Sequence, residues 1–371
     1  MLGLALPDYP WDTLTPYRLR AADHAGGVCD LSIGTPVDPT PSVIREALAA
    51  GADSHGYPTT AGTPQLREAI AFWYSHWHGI ELDPATQVLP TIGSKELVAW
   101  LPTLLGLRQA GLSVACPAAA YPTYEMGATL AGVDCVRLDA GQVLAGASLE
   151  GIGLLWLNSP SNPTGEVLPR EAVAEVVERA RAAGVVVASD ECYGLLNWAA
   201  DAPAPSVLDP AVTGGDHSGV LAVYSMSKQS NLAGYRAAFT AGDPALIGSL
   251  TNSRKHAGMI VPGPVQTAMV AGLHDVEHVR AQKEVYRRRR EVLMPAVAAF
   301  GLRIDHSTAG LYLWATRDED CWTTIGALAD LGIVAGPGAF YGDAARRHVR
   351  IALTAPDERI GAAAERLLAA A

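Results

Sequence analysis

The chain has 371 residues, with 27 basic and 38 acidic side chains and a formal net charge of −11. An acidic chain with no basic run long enough to follow a phosphate backbone has no electrostatic reason to bind nucleic acid or an anionic membrane. With 49% hydrophobic and 18% charged residues it carries enough apolar surface for a large core and too little charge for disorder, and its length predicts a large domain plus a smaller one.

In chain order, the start (Met1-Leu2-Gly3-Leu4, then Pro7 and Asp8) has neither the basic region nor the apolar run of a leader. A cytoplasmic address is therefore expected. Candidate strands of a sheet buried on both faces follow as apolar, β-branched runs: Gln87 to Ile92, Ser113 to Cys116, Cys135 to Leu138, Leu154 to Leu157, Val185 to Ser189, Val220 to Tyr224 and Ala237 to Ala241. Between them lie helical segments such as Arg170 to Ala183, with Val173, Val176, Val177 and Ala180 at helical spacing. The alternation predicts an α/β fold on a mostly parallel, seven-stranded sheet. The longest uncharged stretch, Ala257 to Leu273, is interrupted by Pro262 and Pro264 and falls short of the roughly 20 apolar residues of a membrane span. Past residue 275 a charged helix, Val276 to Phe300, precedes short strands near Leu311 to Ala315, Ile333 to Val334 and Val349 to Leu353. This divides the chain into a large domain, 40–275, and a smaller α+β unit made of 276–371 together with 1–39. The Arg287 to Arg290 run reads as a solvated helix face, because acidic residues flank it.

Several familiar motifs fail for want of partners. None of the four lysines (95, 228, 255 and 283) follows a glycine, which excludes a Walker phosphate loop. His274 to His278 fits an inverted zincin pattern but borders a charged amphipathic helix, and Ser225-Met226-Ser227-Lys228 lacks the Lys-Thr-Gly of penicillin-recognising enzymes. No Gly-x-Ser-x-Gly elbow or Gly-x-Gly-x-x-Gly loop occurs. Cys29, Cys116, Cys135, Cys192 and Cys321 are scattered and odd in number, so they read as small core residues of a reducing compartment, with neither disulfides nor zinc.

Three polar clusters remain, each immediately after a strand: Asn158 to Gly165, Asp190 to Tyr193, and Ser225 to Lys228 with Gly234-Tyr235-Arg236 beyond. Ligand crevices of open parallel sheets lie at the carboxyl ends of strands, which brings these clusters together. A carboxylate closing an apolar strand needs a buried cation, since leaving it unpaired costs several kcal/mol or a proton. A partly desolvated lysine near other cations becomes a nucleophilic amine able to form an imine with a carbonyl. Two serines and an arginine beside it suit a phosphate. The ligand that needs a lysine imine, a carboxylate at a pyridinium nitrogen and a phosphate cradle is pyridoxal 5'-phosphate.

In this order and spacing the motifs resemble the class I/II aminotransferases of the aspartate aminotransferase fold, over essentially the whole chain. The resemblance implies the pyridoxal-phosphate-dependent transferase fold type I and a set of roles. Lys228 is the imine lysine, Asp190 pairs with the pyridinium nitrogen, and Asn162 and Tyr193 bond the phenolic oxygen. Ser225, Ser227 and Arg236 hold the phosphate together with the backbone of Gly93, Ser94 and Lys95 at a helix start, and Tyr121 covers the ring. Tyr57 reaches the phosphate of a neighbouring subunit, which implies a homodimer. Gly34, Asn162 and Arg350 bind the substrate's α-carboxylate. Ala238 stands where the family often has glycine. Runs such as Gly93 to Leu97, Tyr121 to Tyr124 and Ser227 to Gly234 look most like actinobacterial N-succinyldiaminopimelate aminotransferases of lysine and diaminopimelate synthesis, with glutamate as donor. Arg18 and Arg20 are the candidates for its distal carboxylates. Aminotransferases for other acidic or aromatic substrates, and pyridoxal-phosphate-dependent carbon-sulfur lyases, share the constellation.

Overall fold

The computed structural model describes residue 6 and residues 10–371, so the reading made on Met1–Leu4, Pro7 and Asp8 lies outside it. Twelve strands are described: β1 (Cys29–Leu31), β2 (Val88–Ile92), β3 (Ser113–Cys116), β4 (Cys135–Arg137), β5 (Ile152–Asn158), β6 (Val186–Asp190), β7 (Val220–Ser225), β8 (Ala237–Gly242), β9 (Arg303–Asp305), β10 (Tyr312–Thr316), β11 (Ile333–Pro337) and β12 (His348–Ala352). Seven of them form one sheet in the order β2-β8-β7-β6-β5-β3-β4, and five form a second in the order β1-β11-β12-β10-β9. In the large sheet only β8 runs against its neighbours, pairing antiparallel with both β2 and β7. All seven strands expected from the apolar runs are those of this sheet.

Burial on both faces explains the legibility of these strands. Along β5, Leu155 and Leu157 enter one apolar cluster while Leu154 and Trp156 enter the opposite one. The alternation is the two-residue period of a strand. Helix Arg170–Ala182 covers the first face with Val173, Val176, Val177 and Ala180, and helix Ser94–Leu104 covers the second with Leu97, Val98 and Leu101. Each such buried side chain contributes about 1.5–3 kcal/mol. A third cluster fills the second sheet, where Leu31, Leu313, Ala335 and Ile351 meet Leu293 and Val297 of helix Val276–Ala299. No described helix is long and apolar enough to cross a membrane.

Two readings are corrected or extended here. The arginine run is not a uniformly solvated face. Arg289 is buried, donates to Asp38 at 2.6 and 2.8 Å and to Asp357 at 2.6 Å, and ties the long helix to the segment leading from β1. Arg290 donates to the Ser307 carbonyl at 2.9 Å. Helical geometry is the reason: Gln282, Tyr286, Arg289 and Leu293 share the inward stripe of Val276–Ala299, so one of four consecutive arginines must point inward. The His274 to His278 stretch is divided between separate contacts, His274 with its ring 4.7 Å from that of Phe72 and His278 bonded to Ser230 Oγ at 2.8 Å.

A second buried guanidinium sets the helix that leads into the site. Arg254, fully buried, grips Glu96 in the first turn of Ser94–Leu104 through two bonds of 2.8 and 3.0 Å. Breaking such a pair leaves a charge buried without its partner, at a cost of about 3–5 kcal/mol. Glu96→Gln is therefore expected to lower the unfolding free energy by about 3 kcal/mol, read from the urea midpoint. An unchanged midpoint would show that the pair contributes nothing net.

Candidate active site

The carboxyl ends of β5, β6 and β7 and the turn before β8 open onto a cavity of about 810 Å³. Twelve of the fourteen predicted residues line it: Gly34, Ser94, Lys95, Tyr121, Asn162, Asp190, Tyr193, Ser225, Ser227, Lys228, Arg236 and Arg350. Gly93 sits immediately behind, where a Cβ would come within 2.2 Å of the Arg236 guanidinium, and its φ of 80° is in the left-handed region that favours glycine. Tyr57 lies away from the cavity and is fully exposed on the single chain. Arg18 and Arg20 are also elsewhere: Arg18 is 3.5 Å from Asp30 and donates to Ser32 Oγ, and Arg20 grips Asp330. Neither arginine lines the cavity, although Arg18 Nε is buried without an acceptor.

Asp190 closes β6. Its Oδ2 accepts from the Tyr124 hydroxyl at 2.9 Å and its Oδ1 from the Cys192 N–H at 3.2 Å, while no described cation pairs with it. Burial raises its pKa, and those hydrogen bonds only partly offset the rise. The main chain at this point is fixed by Asn158, whose amide donates to the Asp190 carbonyl at 2.9 Å and whose Oδ1 accepts from the Asn162 N–H at 2.7 Å. Lys228 follows β7 by three residues and donates to the Gly34 carbonyl. Burial lowers its pKa, aided by Arg350 and Arg236 against the opposing pull of Tyr312. Arg236, held in a left-handed conformation at φ 56°, donates to the Ala233 carbonyl at 2.9 Å. Ser225 and Ser227 point their hydroxyls at each other across 2.9 Å, beside the start of helix Ser94–Leu104. Ala238 is buried in β8 opposite Ser225 and leaves that geometry intact.

Arg350 comes from β12 of the second sheet. It is buried, donates to Asn162 Oδ1 and the Ser32 carbonyl at 2.9 Å each, and lies 3.8 Å over the Tyr312 ring. It forms no ion pair with any described carboxylate, and its Nε is buried without an acceptor. Tyr312 and Tyr124 belong to the site but escaped the sequence reading, because no short motif spacing marks them, and Cys192, read only as a small core residue, lines the cavity between Asp190 and Tyr193. Tyr312 shares a 3.0 Å hydrogen bond with Tyr193, and a Cβ on Gly34 would collide with its hydroxyl at 2.0 Å. Although burial pushes the Tyr312 hydroxyl up, Arg350 and Lys228 outweigh it and hold it below its ordinary value.

The charges that lack protein partners fit pyridoxal phosphate. A buried carboxylate suits a pyridinium N–H, and an arginine, two hydroxyls and the N-terminus of an eleven-residue helix suit a dianionic phosphate. Lys228 stands between them as the only lysine besides Lys95 in the lining.

A sheet of this topology with this donor set defines a pyridoxal-phosphate-dependent enzyme of the aspartate aminotransferase fold. Residues 27–367 match the family Aminotransferase class I and II, and the chain belongs to it. It is 53% identical over 362 residues to the 4-dedimethylamino-4-oxo-anhydrotetracycline transaminase OxyQ of Streptomyces rimosus, covering 98% of this chain and 99% of that relative. It is equally 53% identical over 366 residues to the probable aminotransferase Rv1178 of Mycobacterium tuberculosis, covering 99% of this chain and 86% of that one. Among solved structures, an aminotransferase from Neisseria meningitidis Z2491 superposes with a TM-score of 0.89 at 28% identity, over 98% of this chain and 97% of that one.

Because burial raises Asp190, its charge begins to cost stability as pH rises above the unfolded value of 3.8, and the full cost is present above the folded value. Cofactor-free Asp190→Asn should therefore be more stable than the cofactor-free parent near neutral pH, with the difference closing as pH falls towards the unfolded value. The same variant should bind the cofactor more weakly. Denaturant midpoints across pH check this, and a difference independent of pH would overturn it.

Proposed function

We propose that this aminotransferase moves an amino group between an α-amino acid and a 2-oxo acid, with Arg350 receiving the α-carboxylate of both. The observation that carries this reading is the buried Arg350 guanidinium, held rigid by Asn162 and Ser32 and paired with no described acid. A desolvated cation in that position discriminates strongly for a bidentate anion. Bound pyridoxal phosphate supplies the electron sink for the charge that develops at the substrate Cα. The chain's own residues do the rest. Asp190 keeps a proton on the pyridine nitrogen, itself oriented by Tyr124. Asn162 and Tyr193 would bond the ring's phenolic oxygen, Tyr121 would cover the ring face, and Ser225, Ser227, Arg236 and the Gly93-Ser94-Lys95 backbone would hold the phosphate. The Lys228 amine, with its pKa lowered by burial, carries the proton to and from the substrate Cα as general base and then acid.

For the side-chain end of the substrate, two readings have observations behind them. A long acidic amino acid such as N-succinyl-L,L-diaminopimelate, exchanged against glutamate in diaminopimelate synthesis, would place a distal carboxylate towards the part of the wall that carries Lys95. A bulky apolar or polycyclic substrate is favoured by the outer wall, where Trp11, Ile33, Met126, Leu130 and Phe340 stand together. The 4-dedimethylamino-4-oxo-anhydrotetracycline for which the Streptomyces relative is named is of that second kind. A half-reaction screen separates them: each amino donor is mixed with holoenzyme and loss of the lysine-bound cofactor's absorbance is followed. Lys228→Ala should abolish that absorbance and turnover. Arg350→Gln should lower kcat/KM about 10- to 100-fold for every α-carboxylate substrate, the loss of one charged hydrogen-bonded contact. Retention of activity by Lys228→Ala would end the proposal. Elimination of a β-substituent without oxo-acid-dependent exchange would assign a lyase instead.

We further propose a homodimer as the working unit, in which the exposed Tyr57 hydroxyl reaches the partner subunit's phosphate. Tyr57→Phe is then expected to raise the cofactor Kd about 5- to 10-fold, the loss of a hydrogen bond to a charged group. A monomer in sedimentation, or unchanged cofactor affinity, would count against it.

A further inference from the structure

At the edge of the large sheet farthest from β2, β4 is a three-residue strand paired on one side only, with β3. Their parallel register sets Val114 opposite Cys135 and Cys116 opposite Arg137, so the two cysteines are diagonal neighbours on one face. Their Sγ atoms are 3.3 Å apart although 19 residues separate them in sequence, and both thiols are free. Arg137 lies across the pair, with Nη1 3.3 Å from Cys116 Sγ and 3.3 Å from the Pro117 carbonyl. Cys116 is fully buried at the end of β3, and Cys135 is partly exposed on the edge strand.

We propose that Cys116 and Cys135 form a reversible modification site, in which a hydroperoxide converts the two thiols to a disulfide that retunes the cofactor cavity through the loop carrying Tyr121. In the first step the partly exposed Cys135, as its thiolate, attacks the terminal oxygen of the hydroperoxide. An S–O bond forms, the O–O bond breaks, and the alkoxide leaves and is protonated to the alcohol. Cys116, losing its proton, then attacks the sulfenic sulfur of Cys135, and the hydroxyl departs as water. Two thiols and one hydroperoxide give one disulfide, one alcohol and one water, a two-electron oxidation of sulfur. The first step falls to Cys135 because it lies on the edge strand within reach of solvent whereas Cys116 is fully buried, and the Arg137 guanidinium 3.3 Å from Cys116 Sγ supports the second sulfur as it loses its proton.

The consequence at the cavity follows from chain connectivity. Closing the sulfurs from 3.3 Å to a bond of about 2.05 Å moves them roughly 1.3 Å towards each other and pulls Cys116 Sγ away from its Arg137 contact, loading the end of β3. Five residues beyond Cys116, Tyr121 lines the catalytic cavity. The connecting loop is fastened by the Ala118 N–H to Asp139 Oδ1 and by the Ala120 N–H to the Tyr341 carbonyl, each at 2.9 Å. Tyr341 is itself 5.1 Å from the Arg350 guanidinium, so movement of this loop is felt on both sides of the cavity.

The test uses holoenzyme treated with hydrogen peroxide, then denatured, alkylated and mapped by mass spectrometry. The expected result is a fall from five titratable thiols to three and a linked pair of peptides containing Cys116 and Cys135, both reversed by dithiothreitol. Cofactor release from the oxidised protein should be at least about five-fold faster, the lower end of coupling between distinct sites. Holoenzyme carrying Cys135→Ser should give no linked peptides and no peroxide-dependent change in release. Five thiols retained, linkage of any other pair, release that is the same in both oxidation states, or a peroxide effect surviving in Cys135→Ser would each overturn the proposal.

Discussion

The structure is organised around buried charges that the protein does not neutralise. Asp190 ends β6 with hydrogen bonds but no cation, and Arg350 ends its reach from β12 with hydrogen bonds but no acid. At an effective dielectric constant of 20, a pair of charges 4 Å apart interacts by about 4 kcal/mol, so each missing partner is a standing cost of that order. Hydrogen bonds from Tyr124 and the Cys192 backbone lessen the cost at Asp190, and the Tyr312 face does the same at Arg350. What remains is binding energy reserved for a pyridinium on one side and a carboxylate on the other.

Holding such charges in place requires a scaffold that does not relax around them. β5 and β7 are buried along their entire length, and apolar clusters grip the sheet from both faces. Their carboxyl ends converge, which places Asn158, Asp190 and Ser225 within one cavity's wall and framework without any of the strands bending. Arg350 to Asn162 joins the second sheet to the loop after β5, beside backbone bonds such as Ala309 N–H to Gly165 and Ala120 N–H to Tyr341, and Arg289 of the long helix holds Asp38 in the segment after Gly34. The cavity therefore lies on a seam, with Asp190, Lys228 and Arg236 on the large-sheet side and Arg350 on the other.

Much of this was legible in the sequence because burial on both faces writes itself as uninterrupted apolar runs. Six strands of the large sheet read out for that reason, the largely exposed edge strand β4 being the exception, and polar clusters at the ends of β5, β6 and β7 marked the site. β1 and β9 did not read out: each is only three residues long, and Cys29–Leu31 carries an exposed Asp30 between two buried residues. Arg289 was misread because a run of identical charges hides which member faces inward, a matter of helical phase and of Asp38 lying far away in sequence. Tyr312 and Tyr124 were invisible for a related reason. Each acts on a residue distant along the chain, Tyr312 on Tyr193 and Tyr124 on Asp190, and a lone tyrosine in a strand or helix has the pattern of any core aromatic.

The division of labour in the cavity accounts for a family whose members share a reaction and differ in substrate. Asp190 closes β6, Arg350 stands within β12 and Tyr124 on helix Thr123–Ala131, and at each a shift of an ångström would break a hydrogen bond of 2.9 Å. The apolar residues of the cavity's outer wall sit on segments outside both sheets. Trp11 lies on the short turn Pro10–Leu14 and reaches the cavity by packing its ring 5.0 Å from Phe340. Replacing such a residue alters an apolar wall without disturbing a buried charge, at a cost set by shape and contact area alone. An apolar wall of this kind can change shape while the charged residues behind it stay in place.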